Sequence, residues 1–303
     1  MELIRPDTRF DFLGKRKITV FISAVVILLS LGSIFFHGGL RYGVDFAGGI
    51  LLQIKFSKAV NISEVRKALE VIGSKDAMVQ KFGGENEFLI RIEKSSGDLE
   101  EMSKAIQTSL QGQFKDKALE IRRVEVVGPK VGKDLKTKAI WAMGLAFLGI
   151  LIYVAFRFRQ FSYGFGGIVA LVHDIIVTFG AISIFNLEFS LSLLAVILTI
   201  IGFSINDTIV IFDRVRENIK KMRKEKLETI FNVSINETLG RTILTSGTVM
   251  MVILILFFFG GPVIHDFTTA LIVGLISGTY STVYIASPIV LLWHHHITLK
   301  RKR

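Results

Sequence analysis

Asp207 is the residue whose position most needs a chemical reason. It sits in Gly202-Phe203-Ser204-Ile205-Asn206-Asp207-Thr208-Ile209-Val210-Ile211-Phe212, inside an otherwise apolar run. Holding a carboxylate in a membrane helix costs about 2.5–3.5 kcal/mol on insertion scales, so such a group implies a task or a partner. Asn206 and Thr208 flank it as further polar groups. A cation stands at a similar depth on the next apolar run: Arg241, in Leu239-Gly240-Arg241-Thr242, followed by the hydroxyls of Thr245, Ser246 and Thr248. Two readings are open. Asp207 and Arg241 form an ion pair that locks two helices, or Asp207 takes up and releases protons beside a cation. His173 and Asp174 lie within another apolar run and need partners of their own.

Other suggestive groups fail on geometry. Gly128-Pro129-Lys130-Val131-Gly132-Lys133-Asp134 has three residues between its glycines and Asp after the lysine. A phosphate loop needs four, and a Ser or Thr hydroxyl for magnesium. The chain therefore gives no support for nucleotide hydrolysis. Consecutive residues on a helix point about 100° apart, so His294-His295-His296 cannot easily converge on one ion. Beside Trp293 they read as residues of a membrane interface. No metal, cofactor or enzymatic activity is expected. With no cysteine among 303 residues, there is neither a disulfide framework nor a thiolate site.

The elements that must position these residues are membrane helices. Half of the residues are apolar, only 21% are charged, and 25 are Phe, unlike a soluble domain. A helix crosses a bilayer in about 20 residues. Six runs qualify, at approximately 18–36, 139–157, 163–184, 190–212, 242–260 and 267–292. The first follows a basic stretch, as a signal peptide would, but it has a full span's length and no convincing cleavage site. It reads as an uncleaved helix.

The formal charge of +11 brackets these runs and does not form a nucleic-acid stripe. Arg5, Arg9, Lys15, Arg16 and Lys17 precede the first. Arg157 and Arg159 follow the second. Arg214, Arg216, Lys220, Lys221, Arg223, Lys224 and Lys226 lie between the fourth and fifth, and Lys300 to Arg303 end the chain. The alternate loops, around Asn186–Glu188 and Gly260–Asp266, have no Lys or Arg. The positive-inside rule then predicts a cytoplasmic flank at 1–17, a first helix at 18–36, and an extracytoplasmic domain at 37–137. Helices two to six follow within 138–293, with a cytoplasmic loop at 213–240 and a cytoplasmic basic tail at 294–303. Asp213 and Arg214, at the inner end of the fourth span, are expected to solvate or orient that loop.

The outer domain reads as alternating elements. Ile50–Phe56, Ala77–Phe82, Glu87–Ile92 and Leu119–Val127 have strand patterns, with a hairpin signal at Gly83-Gly84. Ile62–Ile72, capped by Asn61 or Ser63 and ended by Gly73, and Asp98–Leu110 have helical ones. The order β-α-β-β-α-β predicts a ferredoxin-like α+β unit, a fold that hosts many functions. Before it, Gly43-Val44-Asp45-Phe46-Ala47-Gly48-Gly49 reads as a Gly-rich turn with an exposed Asp. On the sixth span, Ala270, Gly274 and Gly278 recur at four-residue intervals. They allow close helix approach, within the chain or toward a partner subunit.

Taken together, several motifs at these places resemble one family. They are Gly43, Asp45, Phe46, Gly48 and Gly49 after the first span, Val127-Gly128-Pro129 with Val131-Gly132 before the second, and His173-Asp174 in the third. Asn206-Asp207-Thr208 through Asp213-Arg214 and Arg216-Glu217-Asn218 surround the fourth, and Arg241-Thr242 with Thr245-Ser246 lies in the fifth. The chain resembles the SecF branch of the bacterial SecD/SecF family, of the resistance–nodulation–division superfamily, over essentially its whole length. The resemblance implies a subunit of the inner (cytoplasmic) membrane, paired with SecD and acting with the SecYEG channel, SecA and YajC. The proton motive force would assist preprotein translocation, with Asp207 and Arg241 as relay residues and a second carboxylate supplied by SecD. The outer domain would move with the helices. The rivals are a half-size proton-driven exporter of lipids or small molecules, and an assembly factor without transport.

The orientation predicts that alkaline phosphatase fused near Lys81 is active and that the same reporter after Arg303 is inactive. A cytoplasmic signal near Lys81 would overturn the topology.

Overall fold

In a computed structural model of the chain, the described residues are 9–71, 74, 77–82, 84, 86–92, 99–158, 161–261 and 264–301, the last seven by backbone alone. Arg5, Gly73, Gly83, Asp98, Arg159, the side chains of His295 and His296, and the basic side chains after them fall outside this set. The elements are α1 (Arg16–Phe36), α2 (Val44–Ala47), β1 (Gly49–Phe56), α3 (Ile62–Val71), β2 (Met78–Lys81), β3 (Glu87–Ile92), α4 (Leu99–Gln113) and β4 (Leu119–Val127). Then come α5 (Pro129–Arg157), α6 (Phe161–Ile184), α7 (Leu191–Lys221), α8 (Leu227–Phe259), α9 (His265–Ser281), a π-helical turn at Thr282–Ala286, and α10 (Ser287–Arg301). The chain divides into a helical unit (Met1–Arg41, Met143–Leu187, Ser192–Arg303) and a sheet unit (Tyr42–Ala142, Glu188–Leu191).

Among the described residues six helical stretches are long and apolar enough to span a bilayer: α1, α5, α6, α7, α8 and the continuous α9–π–α10 stretch. α6, α7 and α9–α10 are the inner helices, with more than half of their apolar windows buried. α1 and α8 leave most of theirs uncovered, with Phe21, Leu28, Met251 and Phe258 among their bare side chains. So wide an apolar surface is stable only in a bilayer or against partner helices. The chain is a polytopic helical membrane protein.

Residues 213–240, expected as a loop, are helical except at 222–226. α7 runs on to Lys221 and α8 begins at Leu227. Charge ends an apolar run without ending a helix, and here the charges join the two helices. Arg214 pairs with Glu237 at 2.7 Å and with Glu217 at 2.8 Å. Asn218 Nδ2 donates to Ser234 Oγ and to Glu237 Oε2.

The N-terminal flank is also built in. Asn236 accepts from Phe10 N–H and donates to the Phe10 carbonyl, while Asn232 Oδ1 accepts from the N–H groups of Phe12 and Leu13. Asn232 Nδ2 and Gly14 N–H both donate to Asp11 Oδ1, and these donors hold the Asp11 carboxyl below its ordinary range. Leu13 is fully buried.

In the sheet unit the strand order is β2-β3-β1-β4 and every pairing is antiparallel. Alternation puts Ile50, Leu52, Ile54 and Phe56 of β1 and Phe88, Ile90 and Ile92 of β3 on one buried face. α3 and α4 cover it with Val65, Ala68, Leu69, Ile106 and Leu110. Each large side chain so buried contributes roughly 1.5–3 kcal/mol. Asn61 is the cap of α3: its Oδ1 accepts from Ser63 N–H and its carbonyl from Glu64 N–H.

On the opposite face Arg91 is buried. Its Nη2 donates to the Tyr42 carbonyl at 2.8 Å and lies 2.9 Å from Glu188 Oε2. Arg91 is buried but Glu188 keeps some access to solvent, so Arg91→Ala is expected to lower stability by about 1.5–3 kcal/mol, the range for hydrogen bonds to charged groups, seen as a fall in the thermal midpoint of the detergent-solubilised full chain. An unchanged midpoint would show the pair to be dispensable.

Candidate functional site

Asp207 lies on the buried face of α7. Thr242 Oγ1 of α8 donates to its Oδ1 at 2.8 Å, and its Oδ2 has no hydrogen-bond partner among the described residues. The ion pair weighed from the sequence is not made. Arg241 is exposed and forms no salt bridge among the described residues. Neighbouring residues on a helix point about 100° apart, and on α8 it is Thr242, not Arg241, whose side chain bonds Asp207. Asn206 is exposed too. Thr208 is buried, with its Oγ1 3.1 Å from Thr282 Oγ1. Thr245 bonds back to its own helix, at the Arg241 and Thr242 carbonyls, and Ser246 Oγ lies 3.2 Å from Thr279 Oγ1.

Asp174 makes a second centre, fully buried on α6. Ser204 of α7 and Ser281 of α9 each donate to its Oδ2 at 2.7 Å, and Ser277 of α9 donates to its Oδ1 at 2.7 Å. His173 Nδ1 lies 3.0 Å from the same Oδ1. Hydroxyl–carboxylate bonds this short belong to the strong, charge-assisted class. His173 stacks on Tyr280, whose hydroxyl donates to the Thr19 carbonyl of α1 at 2.7 Å. His173 Nε2 is buried without a partner among the described residues. The sequence showed that His173 and Asp174 need partners. It did not show that three serines on other helices supply them.

Small residues let those serines arrive. A Cβ on Gly274 would collide with Ile200 Cδ1, and one on Gly278 would lie 3.2 Å from Ser204 Cβ. Ala270 is fully buried. This face therefore packs inside the chain, on α7 and α6, and does not present itself to a partner. The π turn begins at Thr282, directly after Ser281. Such turns widen a helix locally and are frequent at functional sites.

The Gly43–Gly49 segment works as a clasp within the sheet unit. Asp45 is half-buried, not exposed as expected: its Oδ2 accepts from the N–H of Leu191, the first residue of α7, at 2.9 Å. That satisfies one of the donors a helix start leaves open. Phe46 stacks on Phe189 with ring centres 5.5 Å apart, and Gly43 N–H donates to the Phe189 carbonyl. Gly48 has φ +77, and a Cβ there would lie 3.0 Å from Pro129 Cα, so glycine is required on both counts.

Asp213 pairs with Arg157 and lies 3.5 Å from Arg216. Of the three consecutive histidines, His294 has its Nε2 3.5 Å from Ser162 Oγ. Among the described residues no group of three or more His, Asp or Glu side chains is placed to hold a metal ion.

The two carboxylates should respond differently to substitution. Hydrogen bonds to charged groups contribute about 1.5–3 kcal/mol each, neutral ones about 1. Asp174→Ala is expected to cost at least about 3 kcal/mol, and Asp207→Asn about 1 or less. Thermal unfolding of the solubilised variants measures both. Equal losses would remove the distinction.

Comparison with known proteins follows the same residues. The family described as "Protein export membrane protein SecD/SecF, C-terminal" matches residues 106–296, and the "SecD/SecF GG Motif" matches residues 33–60. The chain is 45% identical to the protein translocase subunit SecF of Calditerrivibrio nitroreducens over 295 residues, 96% of each chain. It is 41% identical to that of Pseudomonas aeruginosa over 283 residues, covering 93% of this chain and 90% of the other. The crystal structure of SecDF from Thermus thermophilus, described as a translocon-associated membrane protein, superposes with a TM-score of 0.85 at 34% identity. That match covers 97% of this chain and 40% of the longer SecDF chain. With this identity over nearly its whole length, the chain belongs to the SecF family of protein translocase subunits.

Proposed function

We propose that the chain works in the bacterial inner membrane as the SecF partner of SecD, using the proton motive force to assist preprotein translocation through SecYEG. Asp207 is the proton-carrying group and Arg241 the cation that works with it. The observation that carries this reading is the state of Asp207: buried, held through one oxygen by Thr242, with the other oxygen uncommitted. A proton moving across the membrane potential yields about 2.3 kcal/mol per 100 mV. Protonation at Asp207 changes the charge buried between α7 and α8 and biases one arrangement of the helices over another. The exposed Arg241 remains available to a carboxylate on SecD. Asn206, Thr208, His173, Asp174, Thr245 and Ser246 are supporting polar groups.

In this reading both termini are cytoplasmic and residues 37–137 form an extracytoplasmic, ferredoxin-like domain. The antiparallel order β2-β3-β1-β4, with α3 and α4 on one face, supports that fold. SecA and YajC complete the complex. The work is transport, without covalent chemistry.

Asp207→Asn keeps size and hydrogen bonding but cannot ionise. It is expected to accumulate normally, bind SecD, and lose at least about tenfold of gradient-dependent export, the effect of some 1.4 kcal/mol. Arg241→Met is expected to do the same. Full export from Asp207→Asn at normal abundance would remove it from the mechanism. Loss of abundance in step with export would mark a structural role.

A further inference from the structure

Where α1, α8 and α10 meet, the helical unit has an open cleft of about 430 Å³, within the size range of small-molecule sites. Its lining is two-natured. Arg16, Lys226, Glu228 and His294 supply polar groups, and Leu291 and Leu292 supply apolar ones. Its level follows from the sequence: Arg16 stands two residues before the apolar run of α1, and the two leucines directly precede Trp293 and His294. Aromatic and basic residues of this kind mark a membrane–water interface.

The cations in the cleft are not used up. Arg16 Nη1 lies 2.7 Å from Glu228 Oε1, an exposed pair that aims the guanidinium and leaves other N–H groups for a ligand. Lys226 is exposed and has no salt-bridge partner among the described residues. Lys15, Lys17 and Lys224 stand exposed close by in sequence. Glu228 is the one acidic group in the wall, so positive charge is in excess. In the wall itself, Leu292 is 63% exposed. A soluble anion would satisfy the cations alone. An amphiphile satisfies the cations and the apolar rim together.

We propose that this cleft binds an anionic phospholipid, with its phosphate between Arg16 and Lys226 and its acyl chains along Leu291 and Leu292 of α10. Basic pockets between membrane helices select such headgroups over zwitterionic ones. The lipid's leaflet rests on the orientation proposed above, but its binding does not, so the two can fail separately.

The test uses the full chain in dodecyl maltoside, with dioleoyl phosphatidylglycerol or dioleoyl phosphatidylcholine added and retention read by native mass spectrometry. Phosphatidylglycerol is expected to be retained about fivefold more, the effect of one basic residue at an anionic surface. Lys226→Glu should abolish the preference, whereas Lys104→Glu, on α4, should leave it intact. Should Lys226→Glu not fold, Lys226→Met serves in its place. Equal retention of the two lipids, or a preference that survives the Lys226 substitution, overturns the proposal. Competition by glycerol 3-phosphate at the lipid's own concentration would identify a soluble phosphate as the occupant and overturn it equally.

Discussion

A carboxylate fully removed from solvent in a membrane helix is tolerable only when its lone pairs are met, and Asp174 sets that condition for the whole bundle. Its oxygens accept from Ser204, Ser277 and Ser281 and face His173. These groups belong to α6, α7 and α9, so the three inner helices are tied at one point. Apolar packing between helices gives little direction in lipid, because a lipid tail is as good a neighbour as a leucine. Hydrogen bonds have direction and therefore set register. Sliding α9 by one turn would strand Asp174 and two serines at once. The glycines of α9 are a consequence of this arrangement, since only a close approach brings hydroxyls as short as serine to the carboxylate.

From that point the bonds run outward. His173 stacks on Tyr280, and Tyr280 reaches the Thr19 carbonyl and Ser23 of α1. Thr208 meets Thr282 at the start of the π turn, and Ser246 ties α8 to Thr279. α1 also meets α6 through Ser33 and Ser183, and α8 is tied to α7 by Asn218–Ser234 and Arg214–Glu237 as well as Thr242–Asp207, while most of the apolar windows of both outer helices stay bare.

What could be read from the sequence was whatever has a local period. Apolar runs marked the six helices, and alternation marked β1 and β3, because both patterns repeat within a few residues. The extent of α7 and α8 was hidden, because hydropathy falls at Arg214–Glu237 whereas the helical backbone does not. The Asp174 centre was hidden differently. Serine in an apolar helix usually bonds back to its own carbonyls and reads as filler, and nothing local tells that three serines from two other helices share one acceptor. Depth on the two apolar runs pointed to Arg241 as the neighbour of Asp207, whereas the hydrogen bond comes from Thr242, one residue further along α8, which hydropathy does not single out. The clasp of Asp45 on Leu191 joins positions 146 apart in sequence, beyond any periodic signal.

α7 carries both kinds of polar centre on one buried face. Ser204 is committed to Asp174, and Asp207, three positions on, is held by a single hydroxyl. The difference in partners is a difference in what a change of charge would disturb. Altering Asp174 would upset four contacts drawn from three helices, so its arrangement resists change. Altering Asp207 puts one hydrogen bond at stake, that of Thr242 on α8. Under the proposed role of Asp207, protonation biases a loose part against a fixed one. The two meet on α7, where a rigid carboxylate anchors the helix within one turn of a carboxylate free to change.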